Sequence, residues 1–486
     1  MIPLIGYSPD VNPTIPGVVV DCVSYVPSIR GMKSARSPVT GTLTSALAAA
    51  CVGAAALRKL DGTTRFFAGT ATKLYEGSST SWTDRTRAVG GDYTGGVDTR
   101  WRYAQFGNVS LATNKTDTMQ YSSSGAFANI TGGIKAAIVE TVGDYIVACD
   151  TNEATYTDSP NRWWVTPDYA NWTPAIADRI ATGILTSSAG PITACRRFGD
   201  GAIIYKDRSM YIGTFTGPPF IFEVREIPGS VGTHCQESVV SIGTQSDPRH
   251  IFIGYEDIYM FDGARPTPIG GPVREAFFND LNRTYSSKCI ARHDRFNACV
   301  YFYYPSTTGS GAVDKCIVYN YKTDKWGRDD RTIEASVEYV QAGYTYDDYG
   351  TLYSTYDTNA NLSYDSRFWS SGALVPAIFN TSHVVQTLTG ASGTCSITLG
   401  DVGSEIDYNT LRRVQPRFLT KPTSATMTNY HRAELGDSLT TDTTTTMANG
   451  RFDVLKSARW HRVKVETVGS SEISDMRMDI VTEGEE

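Results

Sequence analysis

The chain has 486 residues, 41% of them hydrophobic and 20% charged, which is enough to bury a large core. Gly 44 and Pro 21 lie near average usage and exclude a collagen-like or low-complexity chain. The net charge of −7 and the pI near 5.5 argue against a protein that grips nucleic acid, which needs an excess of Lys and Arg against phosphate.

Residues 1–45, proline-rich and without a clear period, read as an extended N-terminal arm that packs on another element. Their opening MIPLIGYSPDVNP lacks the cationic start and continuous apolar centre of a secretory signal. The most apolar stretch, Ala46 to Leu57, has 12 residues, well short of the ~20 that cross a bilayer.

From residue 46 onward short strands alternate with Gly, Asp, Asn and Ser turns, and they recur as a unit. In each unit an apolar strand, a polar turn and a tyrosine-bearing strand follow one another. Phe66 to Thr70 leads to Tyr75, Val109 to Thr113 to Tyr121, Tyr145 to Cys149 to Tyr156, and Ala202 to Tyr205 to Tyr211. Ile251 to Ile253 then leads to Tyr259, Ala298 to Tyr304 to Tyr319, and Ala342 to Tyr346 to Tyr353. The tyrosines advance by about 46 residues on average, the period of a propeller blade of four short strands. Several units end on a further aromatic: Trp82, Phe127, Trp172 and Trp326. The expected fold is all-β: a β-propeller over 46–368, with six to eight blades and seven the best count. The competing architecture is a set of unrelated β-sandwiches. A single short helix is predicted over Gly271 to Leu281, where Val273, Phe277, Phe278 and Leu281 share one face.

Beyond Trp369 the pattern changes. Trp460 to Glu466 alternates apolar and polar residues, as do Met476, Met478 and Ile480, so 369–486 reads as a separate C-terminal β-sandwich-like domain.

Chemistry-bearing motifs are sparse. Six histidines (His234, His250, His293, His383, His431, His461) are scattered without metal-ligand spacing and read as structural or surface residues. The nine cysteines, with no C-x-x-C pair, read as reduced buried thiols. The carboxylates Asp257, Asp262, Asp347, Asp348 and Asp357 fit turn formation better than a calcium site or a glycosidase pair. The sequons at Asn108, Asn114, Asn129, Asn171, Asn282, Asn361 and Asn380 are what a Thr-rich chain yields by chance. A basic cluster (Arg412, Arg413, Arg417, Lys421, Arg451, Lys456, Arg459, Arg462, Lys464) sits in a domain with eleven Lys/Arg against fourteen Asp/Glu. Its cations are therefore expected to pair with carboxylates within the domain or at a subunit contact. No catalytic, metal-ligating or cofactor-binding residue is identified, no cofactor is expected, and channel and interface residues stay unknown.

Several stretches carry a family resemblance. They are Arg162-Trp163-Trp164-Val165-Thr166-Pro167, Asn171-Trp172-Thr173-Pro174, Tyr211 to Pro219, Ile258 to Gly263, Tyr319 to Trp326, and Ser457 to Val463. In this order they resemble the tail nozzle, or packaged-DNA stabilisation, proteins of short-tailed bacteriophages (podoviruses), over about residues 98 to 480. The resemblance implies a structural virion protein and no enzyme: a hexameric ring below the portal and adaptor that retains packaged DNA and conducts it during ejection. It implies assembly in the host bacterial cytoplasm, residence in the virion tail, and contacts with the adaptor, tail fibres or tailspikes and a tail needle or tip. Genomic double-stranded DNA would pass through the lumen with weak contacts, and no membrane anchor is implied. The channel gate is expected on loops, with Thr216 to His234, Pro305 to Asp314, Gly390 to Tyr408 and Gly436 to Gly450 as candidates. The alternative is a glycan- or receptor-binding propeller: a tail fibre, a lectin or a sialidase-like protein.

Overall fold

The computed structural model describes residues 2–78, 80–96, 98–229, 231–340 and 374–485. Seven sheets, each with four consecutive antiparallel positions, stand around one axis. Their first strands are Gly53–Arg58, Arg102–Phe106, Lys135–Val142, Ile192–Phe198, Val239–Gly243, Ile290–Asp294 and Ala335–Val340. Each touches the next, and the last touches the first, so the ring is closed. The chain is an all-β propeller of seven blades, with a β-sandwich packed on its side.

Burial explains why some strands were legible. The second strand of a blade is covered by neighbours on both faces, so Gly201–Lys206 (GAIIYK) and Cys299–Pro305 (CVYFYYP) are buried at every position and read as unbroken apolar runs. Tyr75, Tyr121, Tyr211, Tyr259 and Tyr319 all lie on third strands, as the period requires. Tyr156 does not: it occupies the turn before the third strand of blade three, Thr157–Thr166. That strand is long and polar at its start, so its sequence hides its beginning. The predicted helix forms as Arg274–Asp280, buries Phe277, and receives the Asp10 carboxylate on the backbone N–H groups of Glu275 and Ala276.

Each gap between blades holds its own apolar cluster, such as Ile138, Val147, Trp163, Ile204 and Phe222 between blades three and four. The contacts are close enough to dictate glycine. A Cβ on Gly69 would lie 2.2 Å from the ring of Trp101, whose indole N–H donates to the Thr70 carbonyl at 2.8 Å. Gly69→Ala should therefore cost about 1–3 kcal/mol through overpacking, measurable as a lowered urea midpoint with an unchanged slope.

Two expectations about organisation are corrected, and a third falls outside the described residues. The seventh repeat, Ala342 to Tyr353, lies outside the described residues. Among the described residues, blade seven is built from Ala335–Val340, Leu374–Phe379, Val385–Thr387 and, from the other end of the chain, Val39–Thr40. The propeller thus continues past residue 368, because a ring of sheets closes best when its last sheet is completed by a strand from the opposite terminus. Nor are residues 1–45 a single arm. Val18–Val23 pairs with Thr394–Gly403 of the sandwich, while Tyr25–Pro27 pairs with the outer strand of blade six at Arg328. Met32–Ser34 then pairs with both Tyr25–Pro27 and Glu472–Glu485. One sheet consequently runs without interruption from blade six, through the N-terminal hairpin, into the sandwich strands Glu472–Glu485, Asp407–Thr420 and Phe452–Ala458. The second sandwich layer is Gly6–Tyr7, Val18–Val23, Thr394–Gly403, Trp460–Val468, Ser424–Arg432 and Thr440–Thr446. Tyr25, Phe302, Trp326, Val414, Val465 and Met476 share one core cluster across the junction.

Candidate functional site

The inner strands bring charged side chains to the propeller axis. Glu237, on the short turn Gln236–Ser238 that opens blade five, is the centre of this hub. Arg292 of blade six approaches it at 3.3 Å, Arg196 of blade four at 3.8 Å and Arg102 of blade two at 3.8 Å. Arg196 also reaches Glu140 of blade three at 3.4 Å. The same guanidiniums donate to backbone carbonyls of other blades: Arg102 to Ala137 at 2.8 Å, Arg196 to Gln236 at 3.2 Å and Arg292 to Ser336 at 2.8 Å. The Gln236 amide ties down the neighbouring blade by accepting from the Cys195 N–H and donating to the Cys195 carbonyl, both at 2.7 Å.

These contacts link blades two to seven across the axis. Beside Glu237, Arg292 and Glu334 they leave a small cavity of about 30 Å³.

Electrostatics separates the two hub carboxyls. Burial pushes Glu237 up, but Arg292, Arg196, Arg102 and Arg100 together hold it below the ordinary glutamate range. Glu140 is raised, because burial outweighs the attraction of Arg196. In an open cleft such a divergent pair would suit acid–base chemistry. Here both carboxylates are tied to guanidiniums while staying about a fifth exposed, and the arrangement works as a cross-brace between blades. Glu237→Gln would remove the charge that three guanidiniums share, leaving them their carbonyl partners, and should lower stability by about 1–3 kcal/mol. A thermal midpoint equal to that of the wild type would refute the brace.

The sequence-level candidates fall elsewhere, in structural roles. The Asp257 carboxylate caps a turn, accepting from the Ile258 and Gly270 N–H groups at 2.7 and 3.0 Å, and Asp262 accepts from the Ala264 N–H at 3.1 Å. Asp347, Asp348, Asp357 and Asn361 lie outside the described residues. His250 is fully buried between the Tyr205 hydroxyl (2.7 Å) and the Arg197 carbonyl (2.9 Å). His293 meets the Tyr321 hydroxyl at 3.0 Å, His383 meets Glu334 at 2.6 Å, and His461 donates to the Asn409 carbonyl at 2.8 Å. Among the described residues no three His, Cys, Asp or Glu side chains gather as a metal site. All nine cysteines are buried and unpaired.

Much of the basic cluster pairs inside the sandwich. Arg462 and Arg432 clamp the buried Asp401 at 2.7 and 2.5 Å, Arg417 meets Asp475 at 3.7 Å, Arg451 meets Asp453 at 3.3 Å, and Lys464 meets Glu466 at 3.7 Å. Three of the four gate loops each contain a strand: Ile221–Ile227 within Thr216 to His234, Thr394–Gly403 within Gly390 to Tyr408, and Thr440–Thr446 within Gly436 to Gly450. Their Thr and Gly content reads as turn but suits a half-exposed ladder. Pro305 to Asp314 is a hairpin connection of blade six, fixed by the Asp314 carboxylate, which accepts from the Ser306 N–H and hydroxyl.

The hub itself escaped the sequence reading. Its residues come from five blades and are far apart in the chain. The one available signal was a charged residue inside an otherwise apolar first strand.

No family model matches the chain, and no curated protein matches it. Among solved structures, it is similar to YCF48 bound to D1 peptide, at 12% identity over 75% of this chain and 97% of that one, with a TM-score of 0.38. An alpha-L-arabinanase of Penicillium chrysogenum matches at 9% identity over 56% and 94%, with a TM-score of 0.33. The extracellular domain of the one-component system BT4673 of B. thetaiotaomicron matches at 9% identity over 78% and 43%, with a TM-score of 0.40. The propeller assignment rests on the closed ring of seven sheets in this chain.

Proposed function

We propose that the protein is a structural wall element that assembles into a ring, of the kind its sequence resembles in the tail nozzles of short-tailed bacteriophages. The carrying observation is the uninterrupted sheet from blade six through the N-terminal hairpin into the sandwich. It leaves no hinge between the two units, so load on one is borne by the other. The braced hub supports the same reading and adds a geometric consequence. A DNA duplex would not thread the propeller axis; in a ring it would run along a lumen between copies. The sandwich cations, largely neutralised within their own domain, would offer phosphate little purchase.

On this reading, native mass spectrometry of assembled particles gives six copies in a heterologous closed ring, and the isolated chain binds duplex DNA only weakly at physiological salt. A monomer or trimer, or tight salt-sensitive DNA binding, refutes it.

One observation favours the alternative glycan- or receptor-binding propeller. A surface cavity of about 450 Å³ beside the helix places Tyr255 and Phe278 among Arg208, Arg274 and Arg283, with Glu256 and Glu275 also on its wall. Such ring faces and guanidiniums suit an acidic sugar. A monomer that retains 3′-sialyllactose and loses it on Arg208→Ala would establish that reading.

A further inference from the structure

A second cleft, of about 530 Å³, lies where the N-terminal hairpin, blade six and blade seven meet. Its walls include Val26, Pro27, Tyr301, Pro376 and Leu388, and its charged lining is Arg30, Lys33, Arg36, Lys322, Asp294 and Glu472. Both carboxylates are already engaged. Glu472 accepts from Arg30 at 2.9 Å and from the Ser28 hydroxyl at 2.8 Å. Asp294 accepts from the Phe296 and Asn297 N–H groups at 3.1 and 3.2 Å and from the Asn297 amide at 2.5 Å.

Lys33 is the unusual member. It sits on Met32–Ser34, the central strand of the junction, flanked in register by Val26 on one side and Glu472 on the other. Glu472 lies directly across the ladder, yet its carboxylate turns away to Arg30. Among the described residues no carboxylate lies within 4.0 Å of the Lys33, Arg36 or Lys322 cation. Lys33 is half-buried, and burial, reinforced by Arg36, pushes its ammonium below the ordinary lysine range. Glu472 and Asp294 offset that shift from beyond pairing distance, and a partly desolvated ammonium with no carboxylate in contact costs stability. A chain keeps such a charge at a site where a ligand completes it.

We propose that this cleft binds an organic oxyanion, a phosphate or carboxylate head on a small apolar body. Lys33, Arg36 and Lys322 hold the head, and Val26, Pro27 and Leu388 pack against the body. The volume falls in the roughly 300–1,000 Å³ range of small-molecule clefts, and a junction between structural units is where such clefts concentrate. The site does not depend on the ring-forming reading.

The test is thermal unfolding and calorimetric titration of the full chain with phenyl phosphate and with benzoate, against sodium chloride at matched ionic strength. The wild type should gain thermal midpoint with at least one probe; a response to phenyl phosphate alone identifies a phosphate head, and a response to both shows that a carboxylate suffices. Lys33→Met should raise the ligand-free midpoint and weaken binding about tenfold or more, the loss expected for one charge-assisted hydrogen bond. Lys322→Gln, at an exposed turn, should weaken binding without lowering the ligand-free midpoint. No response beyond chloride in the wild type, or an equal response in Lys33→Met, overturns the proposal.

Discussion

Deletion of residues 1–40 should abolish cooperative folding of the whole chain. The segment buries Leu4, Tyr7, Val18, Val19, Cys22, Tyr25 and Met32, each at most 9% exposed. At about 1.5–3 kcal/mol for a large apolar side chain, this burial rivals the whole net stability of roughly 5–15 kcal/mol of a typical domain. Specific ties go with it. The Tyr25 hydroxyl is shared with Thr467 at 2.7 Å and Ser471 at 2.6 Å, and blade seven loses the strand Val39–Thr40 that completes it. Loss of the hairpin also opens the sheet that couples blade six to the sandwich. Far-UV circular dichroism and urea unfolding of the truncated chain should show a broad transition or aggregation. A truncated chain that unfolds at the wild-type midpoint would demonstrate an independent arm.

Acidification is expected to weaken the fold well above the range where ordinary carboxylates titrate. Burial lowers His234, His250 and His293 from 6.5 to about 4. Their folded values lie below their unfolded ones, so between pH 6.5 and 4 the unfolded chain binds more protons. The stability they contribute is complete above pH 6.5 and is lost as the pH falls through that window. For the nearly inaccessible His250 and His293 the loss amounts to roughly 3 kcal/mol each, at 1.36 kcal/mol per pH unit. Glu140, Asp150 and Asp329, raised chiefly by burial, act in the opposite sense. His250→Gln separates the contributions: it should flatten the dependence of stability on pH by about one proton between pH 6 and 4.5. A wild-type thermal midpoint that does not change from pH 7 to 5 would contradict the assignment.

Legibility followed burial. Strands covered on both faces, such as Ile251 to Ile253 and Cys299–Pro305, announced themselves as apolar runs, and their tyrosine-bearing partners set the period. Fourth strands are mostly short and mixed in character; Ala128–Asn129 and Pro266–Pro268 are only 2 and 3 residues long and resemble turns in isolation. The Thr-rich strand Thr440–Thr446 was read as a loop because it lies at the exposed edge of its sheet, where no apolar alternation is needed.

The sequence alone determined the all-β class, the blade period, the short helix and the change of pattern that marks the sandwich. Each of these rests on interactions between residues near one another in the chain. The tertiary structure decided how the ring closes, how the first forty residues divide between blade and sandwich, and which charges meet at the axis and in the junction cleft. Those features pair positions such as Tyr25 with Ser471, or Arg102 with Glu237, and no local pattern encodes a partner more than a hundred residues away.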